Sequence, residues 1–434
     1  MDIWSMIFEN NLSFAQNLDQ QDNIRHLRDA FYIPQQDGRD LIYLCGNSLG
    51  LQPKSARALV ENQLQNWAQL GVEGWFEGER PWLSYHKELK DLMAPIVGAQ
   101  VAEVCPMNTL TVNLHLLMVS FYKPTASRYK IIMEAGAFPS DQYAVESQVR
   151  HHGFDPANAI IEVKPRSGEF TLHMDDIQAV IEAHASELAL VLFGGINYIS
   201  GQWFEMQEIT RVGHAAGAVV GFDLAHAAGN VPLKLHDWNV DFACWCSYKY
   251  QNGGPGGIGG LFVHEKHFEN QELDRFAGWW GYKEDKRFQM QKGFAAERGA
   301  DGWQVSTGQI IPMSIYLASL QIFQNAGFID PLRRKSLTLT AYLYFLVEQV
   351  NKNLGTNQFT IITPADPNAR GAQLSIVARN FAREIFDGLI KEGVIGDWRS
   401  PNVIRLSPVP LYNTFEELYQ AAEILQRVTE GYIA

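Results

Sequence analysis

The chain has 434 residues, of which 46% are apolar and 19% charged, which is enough for a large hydrophobic core and excludes a disordered or fibrous protein. With 35 Lys and Arg against 48 Asp and Glu, the formal net charge of −13 argues against nucleic acid or an anionic membrane as the main partner. The chain has four Cys, shows no signal-peptide pattern at its start and contains no apolar run long enough to span a membrane. We therefore expect a globular protein of a reducing compartment, the cytoplasm.

Apolar strands alternate with amphipathic helices through the middle of the chain. Before this block, a short strand at 41–44 is followed by a polar loop and by a helix that ends near residue 70. The predicted elements of the block are, in chain order, helix 111–122, strand 129–133, helix 140–151, strand 159–163, helix 175–184, strand 188–193, helix 205–216 and strands 218–224, 241–248 and 259–264. This alternation predicts βαβ units and a mostly parallel sheet covered on both faces.

The last part of the chain returns to long helices with a few short strands. Strands are predicted at 359–363, 373–377 and 403–406, and the last helix begins with a capping box formed by Thr414 and Glu417. We predict three segments: residues 1–70 joining a small domain, residues 71–308 forming a large α/β domain, and residues 309–434 forming the rest of the small α+β domain.

Two strands of the predicted sheet end in polar residues that suit one cofactor. Strand 218–224 carries Asp223 near its end, with His226 shortly after it, and strand 241–248 is followed by Lys249. Ligands of a parallel α/β sheet bind beyond the carboxyl ends of the strands. A lysine there can bind the aldehyde of pyridoxal phosphate, and a carboxylate can pair with the ring nitrogen and keep it protonated. A salt bridge at the sheet edge is the alternative interpretation.

Two further segments could surround such a cofactor. Residues 108–111, Asn-Thr-Leu-Thr, stand at the predicted start of helix 111–122, where free N–H groups can hold a phosphate. An ordinary helix cap is the other interpretation. Phe138 follows strand 129–133 and opens the next helix, which places an aromatic ring at the same sheet edge, although it can equally be a hydrophobic staple.

Seven stretches, in order from near residue 42 to the C-terminus, form one pattern. They are NSLGLQPKS (47–55), NTLTVNLHLLM (108–118), FPSDQYA (138–144), GFDLAHAAGN (221–230), DFACWCSYKYQNGGPGG (241–257), GWW (278–280) and RLSPVPLYNTFEE (405–417). This pattern resembles kynureninase, a family of fold-type-I pyridoxal phosphate enzymes. The resemblance implies a large domain with a mostly parallel sheet flanked by helices, and a smaller α+β domain assembled from both chain ends.

The resemblance also implies site residues. The implied catalytic residues are Lys249, Tyr248 and Asp223. The implied cofactor-binding residues are Leu110, Thr111, Phe138, Pro139, Ser140, Asp141, Asp223, His226, Tyr248 and Lys249, together with Trp279 and Thr307 from the neighbouring subunit of a homodimer. The implied substrate-binding residues are Arg405, Asn47, Ser48 and Trp75. Among these, Arg405 clamps the substrate α-carboxylate, for which a planar fork is suited.

The implied activity is hydrolysis of the Cβ–Cγ bond of L-kynurenine to anthranilate and L-alanine, in tryptophan catabolism and NAD precursor synthesis. Animal relatives carry Ser, His and Asn where this chain has Gly194, Trp75 and Thr307. The last two departures resemble the bacterial branch, so we expect L-kynurenine to be preferred over 3-hydroxy-L-kynurenine. The first leaves open whether a cofactor contact is lost at residue 194.

Other interpretations of the same sequence are weaker. The G-x-G-x-x-G formed by Gly254, Gly256 and Gly259 is followed by an apolar strand, whereas a dinucleotide fold needs a helix there. Cys244 and Cys246 have no Cys neighbours to complete a metal site, and we expect no metal.

The main alternative is another fold-type-I enzyme, an aminotransferase or a cysteine desulfurase. A desulfurase needs a mobile nucleophilic Cys, and none of the four falls in an exposed glycine-rich loop. A regulator that binds the cofactor without turnover is also disfavoured, because this sequence has no basic DNA-binding segment.

Overall fold

The computed structural model describes residues 6–270 and 272–433, and this part of the chain divides into two compact units. The small unit comprises residues 6–55, 196–203 and 322–433, and the large unit comprises Ala56–Gly195 and Phe204–Gln321. The domain limits predicted from the sequence, after residues 70 and 308, stay a prediction, because compactness alone does not show which segments fold independently.

Helices and strands alternate through most of the chain. The α-helices are α1 (Leu12–Gln21), α2 (Ala56–Leu70), α3 (Tyr85–Val97), α4 (Leu110–Phe121), α5 (Pro139–His151), α6 (Pro156–Ala159), α7 (Met174–Ala183), α8 (Met206–Ala215), α9 (Ile310–Asn325), α10 (Ile329–Leu354), α11 (Ala382–Lys391) and α12 (Phe415–Ile433). The strands are β1 (Gln35–Gln36), β2 (Arg39–Asp40), β3 (Ile42–Tyr43), β4 (Val104–Pro106), β5 (Lys130–Glu134), β6 (Ile160–Val163), β7 (Leu188–Gly194), β8 (Val219–Asp223), β9 (Phe242–Cys246), β10 (Gly259–Val263), β11 (Phe359–Ile361), β12 (Leu374–Ala378), β13 (Val394–Ile395), β14 (Asp397–Arg399) and β15 (Val403–Leu406). No helix in the described ranges is long and apolar enough to cross a membrane.

The large unit is built on a seven-stranded sheet with the order β4-β10-β9-β8-β7-β5-β6. The five strands from β5 to β9 pair in parallel, and β10 runs antiparallel to both β9 and β4. The predicted mostly parallel sheet is therefore confirmed. The strand β4 was not predicted, because it is three residues long and ends in a proline, both of which weaken a strand signal.

The centre of this sheet is apolar on both faces, as parallel sheets covered by helices require. All five residues of β9 and all five of β10 are buried. Close packing also fixes a glycine in β8: a Cβ on Gly221 would lie 2.1 Å from Cζ of Phe242 on the neighbouring strand. The polar residues at the carboxyl ends of these strands are therefore held by a tightly packed sheet.

The small unit contains a four-stranded antiparallel sheet with the order β11-β12-β15-β14 and a parallel pair of β13 with β3. The predicted capping box at the start of α12 is confirmed: Thr414 N donates to Glu417 Oε2 at 3.1 Å, and Glu417 N donates to Thr414 Oγ1 at 3.1 Å. In this sheet Asp397 of β14 stands directly opposite Arg405 of β15.

Candidate active site

The last residue of β8, Asp223, is hydrogen-bonded to a second buried carboxyl group. Asp223 accepts a hydrogen bond from Ala225 N at 2.7 Å, and its carboxylate is hydrogen-bonded to that of Asp141 in the first turn of α5. Burial, and then the charge of Asp223, raise the pKa of Asp141 well above its usual range. Burial also raises the pKa of Asp223. The proton of the pair therefore stays on Asp141, and Asp223 is left as the acceptor.

The lysine predicted from the strand end lies in the same cluster. Lys249 follows the strand β9, which pairs in parallel with β8, and its side chain is buried. Its Nζ lies 3.0 Å from Nε2 of His226 and 5.6 Å from the ring centroid of Phe138. The positive charge of Lys249 acts on both carboxyl groups of the pair. The structure therefore brings the predicted lysine, histidine, aromatic ring and carboxylates together.

The ring of Tyr248 lies near this lysine. Nζ of Lys249 lies 6.0 Å from the centroid of the Tyr248 ring, and the Tyr248 hydroxyl is hydrogen-bonded to the thiol of Cys246. Burial is the main cause that raises the pKa of Tyr248 above its usual value. The hydroxyl therefore keeps its proton at neutral pH and can act as a proton donor.

A third buried carboxyl group at this sheet edge was not predicted. Glu134 is the last residue of β5, and both of its carboxylate oxygens accept from Gly194 N at 3.1 Å. Burial is the main cause that raises its pKa to about 7, and the charge of Asp223 adds to the shift. The sequence signal was available, because a polar residue ending an apolar strand is the rule that found Asp223. The backbone N–H of Gly194 is thus occupied by Glu134.

Leu110 and Thr111 begin the helix α4, as the phosphate-site prediction requires. Asn108, with a φ of +47°, turns the chain into this helix, and the cap residue Thr109 makes no side-chain capping hydrogen bond. The turn is held by Met107 N donating to Gly259 O at 3.0 Å and by Gly259 N donating to Asn108 O at 2.8 Å. A helix start whose N–H groups are not capped by the adjacent side chain suits an anion. Pro139 and Ser140 lie in the first turn of α5.

Three further predicted residues of the large unit are Trp279, Thr307 and Trp75. Trp279 is 44% exposed, donates from Nε1 to Arg287 O at 3.2 Å and packs edge-on against Phe288. Thr307 is exposed, and the ring of Trp75 packs against two other tryptophans. The contacts of Trp279 join it to Arg287 and Phe288, which are not predicted cofactor residues.

The predicted substrate residues Arg405, Asn47 and Ser48 belong to the small unit. Arg405 is fully buried, with Nε 3.1 Å and Nη2 2.7 Å from Asp397 Oδ1, and it donates from Nη1 to Tyr198 O at 2.6 Å. Ser48 donates to the other oxygen of the same aspartate. Asn47 donates to Gln373 Oε1 at 3.0 Å. The sequence did not indicate Asp397 as the partner of Arg405, because the three-residue strand that carries it was not predicted.

The structure also decides two weaker interpretations of the sequence, a dinucleotide site and a reactive cysteine. Gly254 and Gly256 adopt positive φ values of +83° and +65° in a turn, and Gly259 begins the strand β10 rather than a helix, so the glycine pattern is not a dinucleotide fingerprint. All four cysteines are buried, and burial raises the pKa of each thiol, in the case of Cys45 to about 11. Such thiols are poor nucleophiles.

The cluster around Lys249 fits pyridoxal phosphate. The cluster lies at the carboxyl ends of neighbouring parallel strands, the position at which α/β sheets bind ligands. It contains a buried carboxylate, a lysine with a nearby histidine, and an aromatic ring that is 39% exposed. The carboxylate suits the ring nitrogen, the lysine suits the aldehyde, and the aromatic ring suits the face of the cofactor ring. The uncapped helix start at Leu110 suits the phosphate.

Comparison with known proteins gives the same class. A family model described as aminotransferase class-V matches residues 147–356. The structure is similar to an apo cysteine desulfurase from Thermococcus onnurineus NA1, with a TM-score of 0.72 at 16% identity over 90% of this chain and 95% of that one. It is also similar to a C-DES mutant with glycine covalently linked to its PLP cofactor, with a TM-score of 0.73 at 15% identity over 89% and 96%. The fold and the site thus define a pyridoxal phosphate-dependent enzyme of fold type I.

Relatives of much higher identity narrow the class. The chain is 53% identical over 422 residues to a kynureninase of Flavobacterium psychrophilum, covering 97% of this chain and 99% of the relative. It is 51% identical over 414 residues to a kynureninase of Koribacter versatilis, covering 95% and 96%. A family model described as the kynureninase C-terminal domain matches residues 332–425. The chain belongs to the kynureninase family. The predicted family, fold class, cofactor and enzyme class are confirmed, and the aminotransferase and desulfurase alternatives have less support.

Proposed function

We propose that this protein hydrolyses L-kynurenine to anthranilate and L-alanine, and that Lys249, Asp223 and Tyr248 carry the chemistry. The observation that carries the assignment of residues is the cluster at the ends of β8 and β9, where Nζ of Lys249 lies 3.0 Å from His226 and interacts electrostatically with the buried Asp141–Asp223 pair. The membership of the kynureninase family supports the choice of substrate.

Bound pyridoxal phosphate supplies an electron sink that stabilises negative charge on substrate carbon atoms. Asp223 would accept a hydrogen bond from the protonated ring nitrogen and so keep that proton in place. Asp141, which is hydrogen-bonded to Asp223, would hold that carboxylate in place, and Phe138 would cover the ring. The helix start at Leu110 and Thr111 would hold the phosphate, and Tyr248 would reach the same phosphate.

Lys249 would act as the base when its side-chain amine is free. Its freed amine takes the proton from the substrate Cα. Water would then add to the γ-carbonyl carbon and the Cβ–Cγ bond would break, so that anthranilate leaves with the oxygen of the water in its carboxylate. Protons returned to Cβ and Cα would complete L-alanine, and one water is consumed for each pair of products. We assign to the Tyr248 hydroxyl, which stays protonated at neutral pH, the donation of a proton in these later steps.

We further propose that Arg405 binds the substrate α-carboxylate, together with Asn47 and Ser48. Arg405 and Arg399 flank Asp397, with Nε of Arg399 3.1 Å from its Oδ1. Two guanidinium groups against one carboxylate leave a net charge of +1, which a substrate carboxylate neutralises. Trp75 and Thr307 set the preference for L-kynurenine over its 3-hydroxy form.

We also propose a homodimer in which Trp279 and Thr307 complete the neighbouring subunit's cofactor site. The exposure of Trp279, and of Phe288 packed against it, supports a role at a subunit interface. We place the enzyme in the cytoplasm, in keeping with four cysteines that are buried as thiols.

Two substitutions test the assignment. Lys249→Ala should abolish turnover of L-kynurenine while the protein keeps its fold, because no other amine takes the Cα proton; a rate near that of the wild type refutes the scheme. Tyr248→Phe should lower steady-state turnover without lowering cofactor content, and unchanged turnover removes Tyr248 from the catalytic set.

A further inference from the structure

Two buried arginines of the small unit have no carboxylate partner among the described residues. Arg333 lies on α10 and is 7% exposed, and Arg370 follows a short 3-10 helix and is 2% exposed. Both donate to main-chain oxygens: Arg333 Nη2 to Pro367 O at 2.7 Å, and Arg370 Nη1 to Pro364 O at 2.8 Å and to Ala365 O at 2.9 Å. Within residues 6–270 and 272–433, neither guanidinium forms an ion pair with an Asp or Glu.

Three N–H groups in this region have no acceptor among the described residues. They are Nη1 of Arg333, Nε of Arg370 and the indole Nε1 of Trp203, and all three are buried. The Cζ of Arg333 lies 5.5 Å from the ring centroid of Trp203. The chain around Trp203 is joined to that around Arg370, since Trp203 N donates to Ala369 O at 2.9 Å. The three donors therefore belong to one buried region.

The charged surroundings do not compensate the two arginines. The ring of Tyr344 lies under Arg370, with 5.5 Å from Cζ to the ring centroid. The carboxylate of Asp366, which acts on Arg370 from a distance, is exposed and accepts Asn368 N at 2.9 Å as a helix cap. Burial lowers the pKa of both guanidinium groups to about 10, and for Arg333 the repulsion of Arg370 adds to it. Both remain cations at neutral pH, and buried cations are costly unless an anion or hydrogen bonds offset them.

We propose that Arg333, Arg370 and Trp203 form a binding site for a small spherical anion of the size of chloride. Carboxylates and phosphates are matched by the two parallel N–H groups of one guanidinium fork. Here the buried donors without an acceptor are single N–H groups from three different side chains, which suits a spherical ion. The site lies outside the cofactor and substrate residues and goes beyond the proposed activity. By binding to the folded state alone, the anion stabilises the small unit.

Bromide, which replaces chloride and scatters anomalously, tests the site directly in the cofactor-loaded protein. Crystals grown with chloride and exchanged into sodium bromide should show an anomalous peak within ~3.5 Å of Nη1 of Arg333, a usual distance for a contact of this kind. Absence of a peak there in a data set that locates bromide elsewhere overturns the proposal.

A solution measurement keeps the proposal testable without crystals. The thermal midpoint of the wild type should rise by ~2 °C or more when chloride replaces gluconate at constant ionic strength. Arg370→Met, and Trp203→Phe, which removes the indole N–H but keeps an aromatic ring, should lose this dependence. The exposed Arg211→Met serves as the matched control and should keep it. If chloride raises the thermal midpoint of the wild type and of Trp203→Phe equally, these N–H groups do not bind the anion, and the proposed site is refuted.

Discussion

Replacing Arg405 by lysine keeps the positive charge and removes the fork. Arg405 uses Nε and Nη2 against Asp397 and Nη1 against Tyr198 O. A lysine places one compact ammonium group at the end of a flexible chain and cannot bind two sides of the site at once. Asp397 keeps a cationic partner in the variant, because Arg399 lies 3.1 Å from the same carboxylate. We therefore expect Arg405→Lys to fold and to fail in binding the substrate carboxylate.

The size of the effect follows from the hydrogen bonds lost. One hydrogen bond between charged groups contributes about 1.5–3 kcal/mol, and about 1.4 kcal/mol corresponds to a tenfold change. Loss of one such bond to the substrate α-carboxylate should raise KM for L-kynurenine about 10- to 100-fold. The effect on kcat should be smaller, because the carboxylate does not react.

Steady-state kinetics of Arg405→Lys should be measured with L-kynurenine and with the amine that lacks its carboxylate. The loss should be confined to the carboxylate substrate. Arg383→Lys, at an exposed arginine on α11, is the control and should leave KM unchanged. A KM within twofold of the wild type, or an equal loss for both substrates, refutes the assignment of Arg405.

Three further predictions concern pH, stability and the cofactor. Burial lowers the pKa of His86 from 6.5 to about 4. As the pH falls, the unfolded state therefore binds this proton before the folded state does, and the free energy of unfolding should fall by ~3 kcal/mol between pH 6.5 and 4. His86→Gln should flatten this part of a urea-unfolding pH profile, and an unchanged slope counts against the account. Asp241 faces two histidines and a lysine, whose hydrogen bonds lower its pKa against the opposing effect of burial, so Asp241→Asn should cost about 3–5 kcal/mol at neutral pH. Because a lowered carboxyl pKa stabilises above about pH 4 and less below it, the wild type and this variant should converge in acid, and a constant difference contradicts the account. Phe138→Ala should weaken cofactor binding about 2- to 10-fold in an absorbance titration, since aromatic stacking contributes about 0.5–1.5 kcal/mol; the exposed Phe170→Ala is the control, and equal affinities remove Phe138 from the ring site.

Much of the large unit was predictable because its signals are local. Apolar runs of strand length alternate with amphipathic helices, so the parallel sheet follows from periodicity, and Asp223 and Lys249 follow from the rule that ligands meet the carboxyl ends of strands. The same rule applied to strand 129–133 points to Glu134. This residue was missed because it lies one position past the predicted end of the strand.

Other features depend on partners distant in sequence or on very short elements. The pairing of Asp397 with Arg405 depends on a three-residue strand with no alternation to reveal it. The mutual hydrogen bond of Asp141 and Asp223 joins the start of a helix to the end of a strand 82 residues away by number, and only the packed sheet brings them together. Burial without an acid partner, as at Arg333, is a property of the folded chain that composition cannot show.

The most direct test of the central claim is product analysis with the purified, cofactor-loaded protein and L-kynurenine. The proposed reaction predicts anthranilate, followed by its fluorescence, and L-alanine in equal amounts, with neither formed by Lys249→Ala. A yellow, folded protein that forms neither product, or that releases a keto acid and leaves the aromatic ketone intact, contradicts the proposed function.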